Sequence, residues 1–286
     1  MAIALVTGTS SGIGLATAVA LARAGHTVAA TLRNPDGGAE IRRIAEEEKL
    51  PIHLAALDVD DDASVREAFA MVVAQLGPID VLVNNAGVTG GGVVEEAALE
   101  TFRQVMETNF FGGLRCIKAV IPTMRERRQG TIVNVTSVAG RIAFAAHAPY
   151  AASKWAFEAL SESLAQEMRA FNVRVVIVEP GVIATSISKK VAPLPPGSAY
   201  PHGKRLLALL AASRAKPTPP SVVGDLIRDI VDGDSWQLRY PAGPGAAEML
   251  KSRASKTDEQ VVLEAAQSDD EFVARIKRET GLDLTL

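Results

Sequence analysis

Ile3-Ala4-Leu5-Val6-Thr7-Gly8-Thr9-Ser10-Ser11-Gly12-Ile13-Gly14 opens the chain and decides how the rest is read. A short apolar run passes straight into a turn holding three glycines, and from Ile13 to Arg23 apolar residues recur at helical spacing. Strands buried on both faces read as such near-continuous apolar runs, and a strand–turn–helix junction starts a βαβ unit. The same pattern returns at Thr27–Leu32, Ile52–Leu57, Val81–Asn84, Thr131–Thr136 and Val173–Glu179. Helical stretches such as Ala63–Leu76 and Pro149–Ala170 lie between them, with Gly14 and Pro149 in first turns, where a helix tolerates them. Alternation of this kind predicts an α/β fold: a doubly wound parallel sheet with helices on both faces. Residues 1–245 read as one Rossmann-fold domain and 246–286 as a charged helical C-terminal extension packed on it. Within the first part, 182–220 is proline-rich with one apolar helical piece, Leu206–Leu210, and reads as a substrate-covering insertion. A helix over Ser221–Val231, a strand near Trp236–Tyr240 and a turn over Pro241–Gly245 follow.

The composition narrows the class. Among 286 residues 48% are hydrophobic, which excludes wholesale disorder. The net charge of −3 offers no electrostatic reason for a nucleic-acid or anionic-membrane partner. Cys116 is the single cysteine, and the four histidines form no zinc-spaced cluster, so neither a disulfide framework nor a metal site is expected. No run approaches the ~18 apolar residues of a membrane span, and the first residues lack a signal-peptide pattern, so a cytoplasmic location is expected.

The glycine turn carries the first chemical reading. Gly8 permits the turn, Gly12 close approach to a ligand, and Gly14 helix–strand packing, so that backbone N–H groups and a helix N-terminus face a pyrophosphate. The end of the second strand is where a ribose is read. An acid there favours a free 2′-hydroxyl and an arginine a 2′-phosphate. Leu32 occupies that place and Arg33 follows, with Asp36 lying beyond Pro35 and past the site. NADP(H) is therefore expected over NAD(H), with Arg33 and Ser11 on the phosphate.

A second set lies downstream. Tyr150 and Lys154 are four apart at the start of a long helix and share one face. A tyrosine is a poor base at neutral pH, but an ammonium about 4 Å away is worth roughly 4 kcal/mol, or about three pKa units. Tyr150 so lowered exchanges a proton with a substrate oxygen. Ser137, just past a strand, can orient that oxygen. His147, three residues before Tyr150, reads as a loop histidine shaping the entrance, and Cys116 as core packing.

In chain order, Thr7-Gly8-x3-Gly12-x-Gly14, Asn84-Asn85-Ala86-Gly87, Asn109, Ser137, Tyr150-x3-Lys154 and Pro180-Gly181 resemble the motifs of the short-chain dehydrogenase/reductase family over roughly residues 1–185. The strand end and long tail are similar to its hydroxysteroid and retinol dehydrogenase-like branch. The resemblance implies a sheet of about seven parallel strands and an NAD(P)-dependent oxidoreductase acting on CH–OH and C=O groups. It implies that Asn109 supports a proton-relay water beside Ser137, Tyr150 and Lys154, and that Lys154 also holds the nicotinamide ribose. Cofactor contacts implied with it are Gly8, Ser10, Ser11, Gly12, Ile13, Gly14, Arg33, Asp58, Val59, Asn85, Ala86, Gly87, Pro180, Gly181, Ile183 and Thr185. Asp58 is placed on the adenine, its helix being capped instead by Asp62 or Ser64, and Asn84 is partly a tie between strands. The resemblance also implies a homodimer or homotetramer through helices carrying Phe102, Val105, Phe110 and Phe111 and Trp155, Phe157, Leu160 and Leu164.

The substrate is read more coarsely. Phe144, Ile183, Ile187, Val191, Leu194, Leu206 and Leu209 form an apolar lining, which fits a hydrophobic ketone or secondary alcohol. Alternatives are a 3-oxoacyl thioester, whose carrier a basic rim of Lys189, Lys190, Lys204 and Arg205 would meet, and a catalytically silent NADP(H)-binding redox sensor.

Overall fold

The computed structural model describes residues 1–186, 197–215 and 217–286. Seven strands, β1 (Ile3–Thr7), β2 (Thr27–Leu32), β3 (Ile52–Ala56), β4 (Val81–Asn84), β5 (Gly130–Val135), β6 (Val173–Pro180) and β7 (Arg239–Ala242), form one sheet in the order β3-β2-β1-β4-β5-β6-β7. Every pairing is parallel. The chain winds outward from β1 to β3, then returns to β4 and winds the other way. That reversal opens a crevice between the C-terminal ends of β1 and β4, where doubly wound sheets bind ligands.

Neighbouring residues along each strand feed opposite apolar layers, as the two-residue period of a strand dictates. Leu5, Leu82 and Ile132 pack under Phe69, Met124, Phe157 and Met168. Val6, Val83 and Val133 pack under Leu21, Ile41, Val223 and Ile227. The first layer is closed by α3 (Asp62–Leu76), α5 (Gly113–Arg127) and α6 (Ala148–Arg169). The second is closed by α1 (Gly12–Arg23), α2 (Ala39–Glu48) and α8 (Ser221–Asp232). Cys116 lies wholly within the first layer, and burial pushes its thiol up to about 12, so it is inert packing. Phe157 and Leu164 are core residues, whereas Phe111 and Trp155 stay 43% and 47% exposed.

Two local expectations are corrected. The last strand is Arg239–Ala242, displaced toward the expected turn, and Pro241 pairs with Glu179. An edge strand accepts a proline because its missing N–H costs no ladder bond on the open side. The turn begins only at Gly243 and Gly245, both left-handed with φ of +85° and +79°. Asp61, rather than Asp62 or Ser64, caps α3, accepting from Ser64 N at 2.7 Å.

The insertion and extension are mainly helical. Described parts of 182–220 include α7 (His202–Ala215), and the extension folds as α9 (Ala246–Ala254), α10 (Asp258–Ala265) and α11 (Asp269–Thr280). Thr257 with Gln260 and Ser268 with Glu271 form capping boxes that start α10 and α11. Ile187, Val191 and Leu194 of the expected lining, and Lys189 and Lys190 of the expected rim, lie outside the described residues. Among the described residues, no helix is long and apolar enough to cross a membrane and no cluster of potential metal ligands occurs.

Candidate active site

At the sheet's switch point lies a cavity of about 370 Å³. Its floor is the glycine turn. Gly8 and Gly12 have φ of +71° and +63°, a region that L side chains rarely adopt. A Cβ on Gly8 would come 2.9 Å from Ala86 Cα, and one on Gly14 would meet Gly8 O at 2.3 Å and Asn85 Nδ2 at 2.4 Å. Asn85 Nδ2 donates to Thr7 O and Gly8 O, while Thr7 Oγ1 accepts from the amides of Asn85 and Ala86. The ends of β1 and β4 are thus stitched together with backbone uncovered between them. A cradle that any Cβ would fill fits a dinucleotide pyrophosphate.

Gly8, Ser10, Ser11, Gly12, Ile13, Arg33, Asp58, Val59, Asn85, Ala86, Gly87, Ser137, Tyr150, Lys154, Pro180, Gly181, Ile183 and Thr185 all line this cavity. Gly14 lies behind the wall, where it packs α1 on the turn. Asn84 is also behind it, donating to Asn134, which donates to Ser161 on α6, so it ties β4, β5 and α6 together. Leu32 is 4% exposed and Arg33 is exposed at the cavity's far end. Asp36 caps nothing there; its amide bonds Asn34 Oδ1 in a tight turn outside the cavity. Ser11 Oγ lies 3.4 Å from Ser186 Oγ.

Asn109 sits in a π-helical turn, Glu107–Gly112, between α4 (Leu99–Met106) and α5. Its side chain accepts from Val88 N at 2.8 Å and donates to Val88 O and Ser153 Oγ, both at 3.0 Å. The amide is therefore committed to holding the β4 loop against α6 and is not among the residues facing the cavity. The side chain thus positions the loop after β4 on α6.

Tyr150 and Lys154 emerge from the first turns of α6. Ser137 Oγ donates to Pro180 O and accepts from Ala139 N, which fixes it between the ends of β5 and β6 in hydrogen-bond contact with Tyr150. Lys154 Nζ donates to Val135 O at 3.0 Å and stands 5.7 Å from the Tyr150 ring centroid. Burial moves both groups away from ionisation. The Tyr150 hydroxyl is pushed up to about 12, opposed in part by the Ser137 hydrogen bond. The Lys154 ammonium is pushed down to about 8, opposed by the Glu158 carboxylate one turn on. Desolvation is the largest cause acting on the Tyr150 hydroxyl in the protein alone, so the lowering expected of it calls on the charge of an oxidised nicotinamide as well as on Lys154.

His147 precedes α6 and stacks on Tyr150, with ring centroids 4.8 Å apart and an interplanar angle of 17°. Burial pushes it down to about 4, so the ring is neutral at physiological pH. The unfolded chain takes up a proton below pH ~6.5 that the native chain refuses, so this group's contribution is complete above 6.5 and lost as pH falls toward 4. Urea unfolding at successive pH values checks this. His147→Phe is expected to flatten the stability profile between pH 4 and 6.5 by up to about 3 kcal/mol.

Sequence reading missed several cavity residues. Asp60 lines the end near Arg33, accepts from Thr108 Oγ1 at 2.9 Å, and is raised by burial. Its acid run, Asp58 to Asp62, was a usable signal. Met249 on α9 also lines the cavity, from a segment far away in sequence. Phe144, Leu206 and Leu209 line it as expected, joined by Leu210. The basic rim is corrected: Lys204 and Arg205 both pair with Asp269, and Arg205 is buried.

Comparison with known proteins agrees with this geometry. The short chain dehydrogenase family signature matches residues 2–194. An uncharacterised oxidoreductase YusZ of Bacillus subtilis is 39% identical over 261 residues, covering 88% of this chain and 92% of its own. Bovine retinol dehydrogenase 8 is 42% identical over 191 residues, 65% of this chain and 61% of that protein. Among solved structures, a short-chain dehydrogenase from Streptomyces avermitilis superposes with a TM-score of 0.81 at 32% identity over 98% of both chains. An alcohol dehydrogenase of Thermococcus sibiricus complexed with 5-hydroxy-NADP gives 0.72 at 26% identity over 84% of this chain and 95% of its own. The chain belongs to the short-chain dehydrogenase family and is an NAD(P)-dependent oxidoreductase.

Proposed function

We propose that this oxidoreductase uses NADP(H) in preference to NAD(H), and interconverts a hydrophobic ketone and its secondary alcohol with Tyr150 as acid and base. The observation that carries the reading is the convergence of Ser137, Tyr150 and Lys154 on one cavity with the glycine cradle at one end and an apolar wall at the other. Gly8 to Ile13 would hold the pyrophosphate, Asp58 the adenine end, and Pro180 to Thr185 the nicotinamide end. When bound, the dinucleotide supplies or accepts the hydride, and in its oxidised form adds positive charge to the site. Ser137 Oγ orients the substrate oxygen. Tyr150 Oη gives that oxygen its proton in reduction and removes it in oxidation. Lys154, charged below about pH 8, favours the tyrosinate that this exchange leaves. The wall of Phe144, Leu206, Leu209, Leu210 and Met249 excludes water from the reacting carbon.

The cofactor preference rests on Arg33 at the end of β2 and on Leu32, which presents no carboxylate to repel a 2′-phosphate. Steady-state kinetics with both cofactors against a panel of ketones tests the whole reading. kcat/KM is expected to be at least about tenfold higher with NADPH, equivalent to one charge-assisted pair. Leu32→Asp is expected to move the preference toward NADH. A wild-type preference for NADH would remove the claim. Self-association through the face retaining Phe111 and Trp155 is part of the same reading, and sedimentation tests it.

A further inference from the structure

Arg205 is only 5% exposed, although it lies in the first turn of a helix in the insertion. Its guanidinium spends its donors on one place. Nε bonds Asp269 Oδ1 at 2.8 Å, Nη2 bonds Gln267 O at 2.7 Å, and Nη1 bonds Ala265 O at 3.3 Å. The Phe272 ring lies 5.2 Å from Cζ. His202 Nε2 sits 3.1 Å from Ala265 O, and Lys204 also pairs with Asp269. The first turn of α7 is therefore bonded throughout to the corner between α10 and α11, a corner kept rigid by the Ser268–Glu271 capping box. Ala265 O is among the carbonyls that the C-terminus of α10 leaves without intrahelical partners, and Gln267 O belongs to the turn that follows. A planar fork on two carbonyls and a carboxylate also carries orientation that a point charge does not.

The next residue, Leu206, begins the apolar wall, with Leu209 and Leu210 a turn further along. On the other side, the Tyr200 hydroxyl bonds Glu95 and Ser198 bonds Glu96, so the segment leading into α7 is fastened to the loop after β4. We propose that the extension is a strap that holds α7 in place as the wall of the substrate pocket, with Arg205 the positioning residue through which it acts. This rests on the reading of that wall as substrate-binding. Arg205 does not itself line the cavity, so it acts through the leucines that follow it. The substrate class that depends on the strap is the large apolar carbonyl or alcohol, which needs the wall. A short ketone does not.

The test uses the full chain and its Arg205→Ala and Arg205→Lys variants, with hydrogen-exchange mass spectrometry and NADPH kinetics on 2-decanone and 2-butanone. In Arg205→Ala, amides of 202–215 are expected to exchange at least about tenfold faster while β1, β4 and β5 keep their protection. KM for 2-decanone is expected to rise at least about tenfold, with 2-butanone turnover and NADPH affinity unchanged. Arg205→Lys, which keeps the charge and loses the fork, is expected to fall between. Unchanged exchange in α7, or equal losses for both ketones, would overturn the strap. Should the wild type reduce neither ketone, the functional reading falls while the exchange data still decide the strap. If Arg205→Ala does not fold, Asp269→Asn, which leaves the carbonyl bonds, gives the same comparison at smaller amplitude.

Discussion

Tyr150→Phe is expected to lower kcat by about a thousandfold, within the range that a positioned general acid–base contributes, while the protein folds and binds NADPH as before. The substitution removes one oxygen. Its hydrogen-bond partner is the Ser137 hydroxyl, which keeps its bonds to Pro180 O and Ala139 N, so no buried group is left unpaired. The stability change stays within about 1 kcal/mol. The aromatic ring and its stack on His147 also survive. What disappears is the group proposed to move a proton at the substrate oxygen. With His147 held neutral down to about pH 4, the imidazole is a poor acid at neutral pH and does not substitute. Chemistry and binding thus separate: kcat collapses, NADPH titration by fluorescence is unchanged, and thermal unfolding is close to wild type. Retained turnover would remove Tyr150 from the acid–base role.

Gly14→Ala is expected to have the opposite signature, with loss of binding and of stability together. A methyl at this position would sit 2.3 Å from Gly8 O and 2.4 Å from Asn85 Nδ2. One neighbour is backbone and the other holds Thr7 O and Gly8 O, so neither can yield without opening the turn. Overpacking of this kind costs about 3 kcal/mol. Because the displaced atoms are the cradle itself, NADPH affinity is expected to fall about 100-fold. Gly37→Ala is the control, since a Cβ there meets nothing within 4 Å, and a change under about 0.5 kcal/mol is expected. Calorimetric titration with NADPH and urea unfolding check both variants. Equal behaviour of the two would mean that the turn is not the cofactor cradle.

Much of the fold was legible because its determinants are local. The core strands are uninterrupted apolar runs, and six of them lie within a residue or so of the expected bounds. The glycine turn was legible because only glycine tolerates its geometry. What was not legible depends on partners distant in sequence. Pro241 enters a strand because β6 presents a free edge to it. Met249 reaches the cavity because Ala246 packs against Gly181. Lys204 and Arg205 looked alike as solvent-facing charge, and only the approach of Asp269 pairs both and buries Arg205, leaving Lys204 exposed. Tyr150 shows the limit for electrostatics. Spacing brings Lys154 onto its face, but desolvation, which follows from the whole cavity, is the largest cause acting on each of the two groups.

The most direct measurement is transfer of label from NADPH deuterated at both C4 positions to a hydrophobic ketone, read by mass spectrometry of the alcohol. Deuterium at the carbinol carbon with the wild type, and about a thousandfold less of it per unit time with Tyr150→Phe, is the expected result. Tight NADPH binding with no deuterium in any product of a broad ketone panel, or equal transfer by both proteins, would contradict the account.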